Sequence, residues 1–278
     1  MELSIIVTSY KNPALLKLCL ESLLSNIENV DFEVIVSDGE TQEDTFYIVK
    51  EYFPEVKFIS HKKNVGFGGL VNDGIAKARG KYCFIINGDI VIKDKQTIRK
   101  LLDYCQENPE VGLAGPKLIN FDNSIQESCF RFYKPSTIIY RRTFLKRFFF
   151  AKKELSRFLM EDVKKEDAPV EADWIMGSAM MASRKNIDKV GKMDKRFFMY
   201  FEDVDWCWRF WENGLKVVYN PTVKVYHYHG KQSANKGVLK AVLFNKYARI
   251  HLYSALKFFK KHKTIGRSNP HRKYKQEH

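Results

Sequence analysis

The chain has 278 residues, 45% of them apolar, and carries 47 Lys and Arg against 33 Asp and Glu, a formal charge of +14. That is enough apolar volume for one large domain, or one domain with an appendage, and the basic balance points to an anionic partner: a phosphorylated small molecule, a nucleic acid or an acidic membrane surface. No run of ~18 apolar residues exists to span a bilayer, MELSIIVTSYKN lacks the blocks of a signal peptide, and five cysteines without C-x-x-C spacing read as free thiols of a reducing compartment, so the expected location is cytoplasmic.

In chain order, LSIIVTSY (3–10) reads as a buried strand running into a polar loop. Pro13 opens a helix with Leu15, Leu16, Cys19, Leu20, Leu23 and Leu24 at helical spacing. FEVIVSDG (32–39) and VKFIS (56–60) are the second and third strands, NVGFGGLVNDGIAKARG (64–80) is a glycine-rich turn entering a helix, and KYCFIINGD (81–89) is the fourth strand. Residues 95–106 read as a helix and VGLAGPKLI (111–119) as a strand. Residues 137–165 read as a basic, aromatic surface excursion with helical character. ADWIMGSAMMASR (172–184) is expected to be one buried strand bent at Gly177–Ser178. A helix is expected to start near Asp203, with Val204, Cys207 and Trp208 toward the core. KVVYNPTVKVYHYHG (216–230) reads as two short strands around Asn220–Pro221, and 236–262 as a long helix followed by a polar, frayed tail.

Alternating strands and helices over the first ~110 residues predict a parallel α/β sheet, whose ligands bind beyond the carboxyl ends of the strands. Those ends carry Thr8–Ser9–Tyr10, Asp38 and Asn87–Gly88–Asp89, so three strands deliver polar residues to one edge. Asp89 suits a hard divalent cation, although N-G is also a common turn. In YFEDVDWCWRFWENG (200–214), Glu202, Asp203 and Asp205 stand against Phe201, Trp206, Trp208 and Trp211. First-turn acids suit a helix dipole, which accounts for Asp205. Glu202 and Asp203 together, after an apolar run, also fit a crowded pair with a raised pKa and a usable general base. His227 and His229 share one strand face, as packing residues or as metal ligands. GFGG (66–69) lacks the full G-x-G-x-x-G spacing but permits close backbone approach to a nucleotide.

These stretches, together with IIVTSYKNPALLKLCLESLL, DWIMGSAMMASR and KMDKRFFMYFEDVDWCWR, run in the order found in family-2 glycosyltransferases of the GT-A fold, and the chain resembles their bacterial rhamnosyltransferase-like members over most of residues 1–235. The resemblance implies a Rossmann-like, mostly parallel sheet flanked by helices. It implies a glycosyltransferase domain over 1–235, with a nucleotide-binding half at 1–110 and an acceptor and catalytic half at 111–235. Residues 236–278 would form a basic helical C-terminal extension.

The resemblance also implies residue roles. Thr8, Tyr10 and Asp38 line the base and ribose pocket, bordered by Asn64, Gly66 and Asn72. Asp89, the last acid of a D-x-D-like element in which Asn87 replaces the first, holds Mg²⁺ or Mn²⁺ with His227, or with His229 as the fallback. Asp203 is the general base beside Glu202, and Trp174 and Gly177 shape the donor-sugar and acceptor site. DGET stands where the family more often has D-N-x-S. The implied donor is a dTDP- or UDP-sugar, dTDP-L-rhamnose first, and the acceptor a lipid-linked saccharide or growing surface polysaccharide. ARIHLYSALKFFKKHK, basic on one face and Phe/Leu-rich on the other, is expected either to lie on an anionic inner leaflet, making the enzyme peripheral there, or to cap the domain. The competing classes are a nucleic-acid-binding protein, for which no RNP, KH or zinc-finger pattern appears, and an inactive scaffold of the same fold.

Overall fold

The computed structural model describes residues 1–228, 246–263 and 269–277. Along the first half run β1 (Leu3–Tyr10), α1 (Pro13–Ser25), β2 (Phe32–Gly39), α2 (Glu43–Tyr52), β3 (Lys57–Ser60), α3 (Phe67–Lys77), β4 (Tyr82–Asn87), β5 (Ile90–Val91), α4 (Thr97–Glu107) and β6 (Val111–Ile119). Then come β7 (Ile125–Gln126), β8 (Cys129–Phe130), α5 (Pro135–Arg142), a 3₁₀ turn (Phe144–Arg147), α6 (Phe149–Phe158), β9 (Val170–Glu171), β10 (Trp174–Ile175) and β11 (Ala179–Ser183). The chain continues through α7 (Arg184–Val190), α8 (Glu202–Glu212), β12 (Lys216–His227), α9 (Lys246–His262) and α10 (Pro270–Glu277).

The main sheet has the order β3-β2-β1-β4-β11-β6-β12-β5, with β7 beside β6 and β9 beside β12. Strands β3, β2, β1 and β4 are parallel, whereas β11 runs antiparallel to β4 and β6. This is the expected mostly parallel α/β sheet. After β1 the chain builds outward to β3, then returns to place β4 on the other side of β1, which makes the β1–β4 boundary the switch point where a crevice opens at the strands' carboxyl ends. Side chains alternate between two cores. Leu3, Ile5 and Val7 of β1 join Leu16, Leu20 and Leu23 of α1 and Leu101 of α4 on one face, while Ile6 joins Val71 and Ile75 of α3 and the aromatic residues of α8 on the other. Among the described residues no helix is long and apolar enough to cross a membrane.

Several expectations differ from the fold. Residues 172–184 form two strands rather than one, because the turn at Gly177–Ser178 sends β10 into a separate two-stranded sheet with β8 and β11 into the main sheet. Residues 216–227 form one continuous strand, and Asn220–Pro221 is absorbed as a register shift against β6. The 137–165 excursion is helical but not wholly superficial, since Ile138, Ala151, Phe158 and Met160 are buried. Helix α8 is buried on nearly every side, including Trp206, Phe210 and Trp211. Of the expected frayed tail, the described residues 269–277 are docked: His271 is 2% exposed, stacks on Trp211 with centroids 4.0 Å apart and donates from Nδ1 to Asp173 at 2.6 Å. Phe258 of α9 likewise lies in the main aromatic core.

Candidate active site

At the switch point the sheet register sets Thr8 opposite Asn87 and Ser9 opposite Asp38. Thr8 Oγ1 donates to Asn87 Oδ1 at 3.2 Å, so the two neighbouring strand ends are tied by side chains as well as by the ladder. Asp38 is fully buried, and neither carboxylate oxygen meets a hydrogen-bond partner among the described residues. Burial raises its pKa against the opposing pull of the nearby Ser9 and Thr41 hydroxyls and His61. A buried acid with unmet oxygens at a strand end is a ready acceptor for a ligand N–H or O–H. Tyr10 stands at the rim, its hydroxyl donating to Glu40 at 3.1 Å. Gly39 brings Tyr10 and Asn64 together: a Cβ there would lie 3.5 Å from the Tyr10 ring and 3.7 Å from Asn64 Oδ1.

Asn64 Oδ1 also accepts from the Gly66 amide at 2.8 Å. Gly66 has φ +77°, and a Cβ there would stand 2.2 Å from the Phe198 carbonyl oxygen, so only glycine lets this loop seat on the 198–203 segment. Asn72, by contrast, does not face the crevice. Its amide is fully engaged with the Met193 backbone, donating to the carbonyl at 2.8 Å and accepting from the amide at 2.9 Å.

The pairing of β5 with β12 sets Ile90 opposite His227 and brings Asp89 to that histidine. Asp89 Oδ1 lies 3.2 Å from His227 Nε2, yet this buried oxygen has no hydrogen bond among the described residues. His227 Nδ1 donates to Gln126 Oε1 at 2.7 Å. With Gln126 Oε1 accepting from Nδ1–H, the neutral form of the ring presents its Nε2 lone pair toward the Asp89 carboxylate. In that form two electron-pair donors converge, which fits a divalent cation, with Gln126 orienting the ring as outer-shell partners of metal-bound histidines do. Among the described residues no group of three or more His, Cys, Asp or Glu converges. His229 lies outside the described residues.

The acid pair starts α8. Tyr200 and Phe201 precede it with φ of 65° and 68°, two consecutive left-handed non-glycine residues. Such backbone costs about 1–3 kcal/mol per residue and persists only where surroundings hold it. Here Phe201 packs on Tyr133 and Phe258, and Ser254 of α9 donates to the Met199 carbonyl at 2.9 Å. Asp203 is half-buried and accepts two backbone N–H groups, Gly177 at 3.1 Å and Val204 at 2.9 Å. Burial nevertheless raises its pKa above the usual carboxylate range. Glu202 is buried, its Oε2 has no partner among the described residues, and burial with the neighbouring Asp203 and Asp205 charges pushes its carboxyl much further up. Neither acid forms an ion pair with a described residue. Asp205 is the opposite case: Arg209, Lys261 and His262 all reach it within 2.9 Å, as befits a structural acid.

Two adjacent residues join the halves. The Asn87 amide donates to the Ser178 carbonyl at 3.0 Å, while the Gly177 amide donates to Asp203. The metal-type acid Asp89 is thus linked through Asn87 and the Gly177–Ser178 turn to the acid pair. A Cβ on Gly177 would meet Phe67 at 3.0 Å and Asp203 Cβ at 3.4 Å, so this glycine also admits the start of α3 to the site. Trp174 lies beneath rather than in it: its indole is 6% exposed, donates to the Arg131 carbonyl at 3.1 Å and stacks on Phe130. Gln126 escaped the sequence reading, since a polar residue in a two-residue strand carries no periodic signal.

Comparison with known proteins bears on the fold and the family. An L-rhamnosyltransferase of Mycobacterium tuberculosis, named N-acetylglucosaminyl-diphospho-decaprenol L-rhamnosyltransferase, is 27% identical over 207 residues, covering 70% of this chain and 66% of its own, so the chain matches slightly under two thirds of that relative. Rhamnosyltransferase WbbL of Escherichia coli K12 is 24% identical with 95% of both chains covered. Staphylococcus aureus TarS (residues 1–349) superposes with a TM-score of 0.55 at 16% identity, over 82% of this chain and 60% of its own. GalNAc-T7 superposes with a TM-score of 0.59 at 14% identity, over 89% and 49%. These likenesses show the GT-A fold. Residues 4–158, more than half the chain, match the family described as Glycosyl transferase family 2, and the chain belongs to that family.

Proposed function

We propose that this chain is an inverting hexosyltransferase that moves L-rhamnose from dTDP-L-rhamnose, or a related sugar from a dTDP- or UDP-donor, to a lipid-linked or growing surface saccharide. The observation that carries the reading is the linkage of the Asp89–His227 pair to the uncompensated acid Asp203 through Gly177–Ser178. The names of the mycobacterial and E. coli relatives favour rhamnose, and the structure of GalNAc-T7 with UDP, GalNAc and Mn²⁺ favours a nucleotide-sugar and a divalent ion.

In this reading Asp38 accepts from the base or ribose, with Thr8, Tyr10 and the Asn64–Gly66 loop around it. Asp89 and His227 would hold Mg²⁺ or Mn²⁺, which when bound offsets the charge developing on the departing nucleoside diphosphate. Asp203, oriented by the Gly177 and Val204 amides, takes the proton of the acceptor hydroxyl as that oxygen attacks the anomeric carbon. One in-line displacement inverts the centre. Glu202, holding its proton more tightly, keeps a second negative charge away from the base.

The test is a donor panel read by release of nucleoside diphosphate. Metal-dependent release from a dTDP- or UDP-sugar, lost in Asp89→Ala, is the expected result. Absence of release from every donor would leave an inactive scaffold. Gln126→Leu is expected to weaken Mn²⁺ binding about 10–100-fold, by titration of the ion alone, because it frees the His227 ring to turn. Unchanged Mn²⁺ affinity would place the ion elsewhere.

A further inference from the structure

We propose that the turn and helix ends between Ile139 and Lys153 form a docking surface for an anionic phospholipid bilayer. Ile139, Phe144, Phe148, Phe149 and Phe150 are between 48% and 83% exposed, and all belong to one short excursion. A monomeric soluble surface rarely gathers so many large apolar side chains in one place. Three of them pack together: Phe148 stacks on Phe150 at 5.7 Å, and Phe144 meets Phe148 edge-on at 6.3 Å.

Within the segment from Lys134 to Lys153 the charge is of one sign, and Glu161 is the acid that lines an adjoining groove. From Lys134 to Lys153 the sequence has no Asp or Glu, and Lys146, Arg147, Lys152 and Lys153 are exposed and form no ion pair with a described residue. The next acid, Glu154, is engaged by Arg157 at 2.6 Å, Thr137 at 2.6 Å and Lys134 at 2.9 Å. Exposed Phe rimmed by unneutralised Lys and Arg matches the headgroup and acyl boundary of an anionic leaflet, where rings enter and cations stay at the phosphates. Bases of a single strand stack on open ring faces, whereas Phe148 and Phe150 turn a face on each other.

The excursion is firmly seated. Phe158 and Ala151 are buried, and Phe158 packs on Tyr133 and Phe130, which in turn meet Phe201 and Trp174. Those two residues flank the acid pair and the Gly177 turn, so the patch is rigidly joined to the acceptor side of the site. An open groove of about 590 Å³, lined by Phe149, Lys152, Lys153, Leu155, Ser156 and Glu161, continues the patch. The sequence left the helix now seen as α9 open as either a membrane-lying face or a cap on the domain. The face of α9 bearing Ala255 and Phe258 is buried in the core, leaving Leu252, Tyr253 and Leu256 outward among Arg249 and Lys260. The proposal deepens the lipid-linked acceptor reading and rests on it only for the purpose of docking.

Co-sedimentation of the whole chain with phosphatidylglycerol–phosphatidylcholine vesicles and with phosphatidylcholine vesicles tests it. The wild type is expected to favour the anionic vesicles about tenfold or more, and Phe144→Ser/Phe149→Ser and Lys152→Glu/Lys153→Glu are each expected to remove most of that binding. Both variants should melt as the wild type does and release nucleoside diphosphate at the wild-type rate without vesicles. Equal sedimentation of wild type and variants overturns the proposal, as does patch-dependent binding to a single-stranded oligonucleotide or self-association without vesicle binding. Patch-dependent vesicle binding with no donor turnover by the wild type would sink the enzymatic reading and leave the docking surface standing.

Discussion

Asp203→Asn is expected to lower transfer by about 10²–10⁴ while leaving donor affinity within about twofold, and Glu202→Gln is expected to keep most of the activity and raise the melting temperature by a few degrees. The two acids are adjacent, but their environments separate their roles. Asp203 accepts two backbone amides, which favour its charged form, whereas Glu202 is buried with an oxygen that meets no partner among the described residues. Both carboxyls titrate above the usual range because burial disfavours their charge, and Glu202 is displaced further by its acidic neighbours. As pH rises Asp203 ionises first and becomes the base, while Glu202 stays a neutral acid that glutamine imitates. This separation of two neighbouring carboxyls is how sites assign acid and base.

The linkage sign follows. For Glu202 the folded state holds its proton at pH values where the unfolded chain has lost it, so stability falls as pH rises from the ordinary carboxylate range toward the raised folded value, and the carboxyl costs stability at neutral pH. Glu202→Gln removes that cost. The gap in melting temperature between the two proteins should therefore close below pH ~4, where the unfolded carboxyl is protonated too. The acid limb of the pH–rate profile should lie above the ordinary carboxylate value. Glu202→Gln losing as much activity as Asp203→Asn, with donor binding intact in both, would move the base to Glu202.

What could be read from the chain alone was decided by local periodicity. Strands β1, β2 and β6 coincide with the apolar runs at 3–10, 32–39 and 111–119, and their parallel register then gathers Thr8, Asp38 and Asn87 without further information. The α2 helix escaped notice because only Thr45 and Val49 of it are buried, leaving no apolar stripe. Residues 172–184 and 216–227 misled because a glycine turn and a register shift leave the same apolar run behind, and pairing partners decide which it becomes. Asn72 and Trp174 have the residue types of a binding site, yet the backbone of Met193 and the carbonyl of Arg131 occupy them. Gln126 and the C-terminal clasps depend on contacts between residues about a hundred positions apart, which no local pattern encodes.

Those clasps carry the second large effect. Phe258→Ala is expected to lower the melting temperature by about 10 °C, and removal of residues 246–278 to prevent cooperative folding. Phe258 is fully buried and meets Phe201 at 5.5 Å and Trp208 at 5.6 Å, so its loss opens a cavity beneath the strained Tyr200–Phe201 turn that presents the acid pair. Deletion does more, because it strips Asp205 of Lys261 and His262, and Asp173 of His271 and Asn269. Asp205 would keep only Arg209, and Asp173 only Arg131 and the Phe132 amide, so two buried carboxylates would each lose most of their compensation. Burial pushes both carboxyls up, but for Asp205 the His262 hydrogen bond and the Arg209 and Lys261 charges outweigh it, as His271, the Phe132 amide and Arg131 do for Asp173, and both end below their ordinary value. The docking stability is therefore fully present above pH ~4 and lost as pH falls through the depressed folded values. Thermal melts across that range should show the wild type losing stability more steeply than His262→Ala. An appendage would behave otherwise: the truncated chain would melt cooperatively at the wild-type temperature, and the acid dependence of the two would coincide.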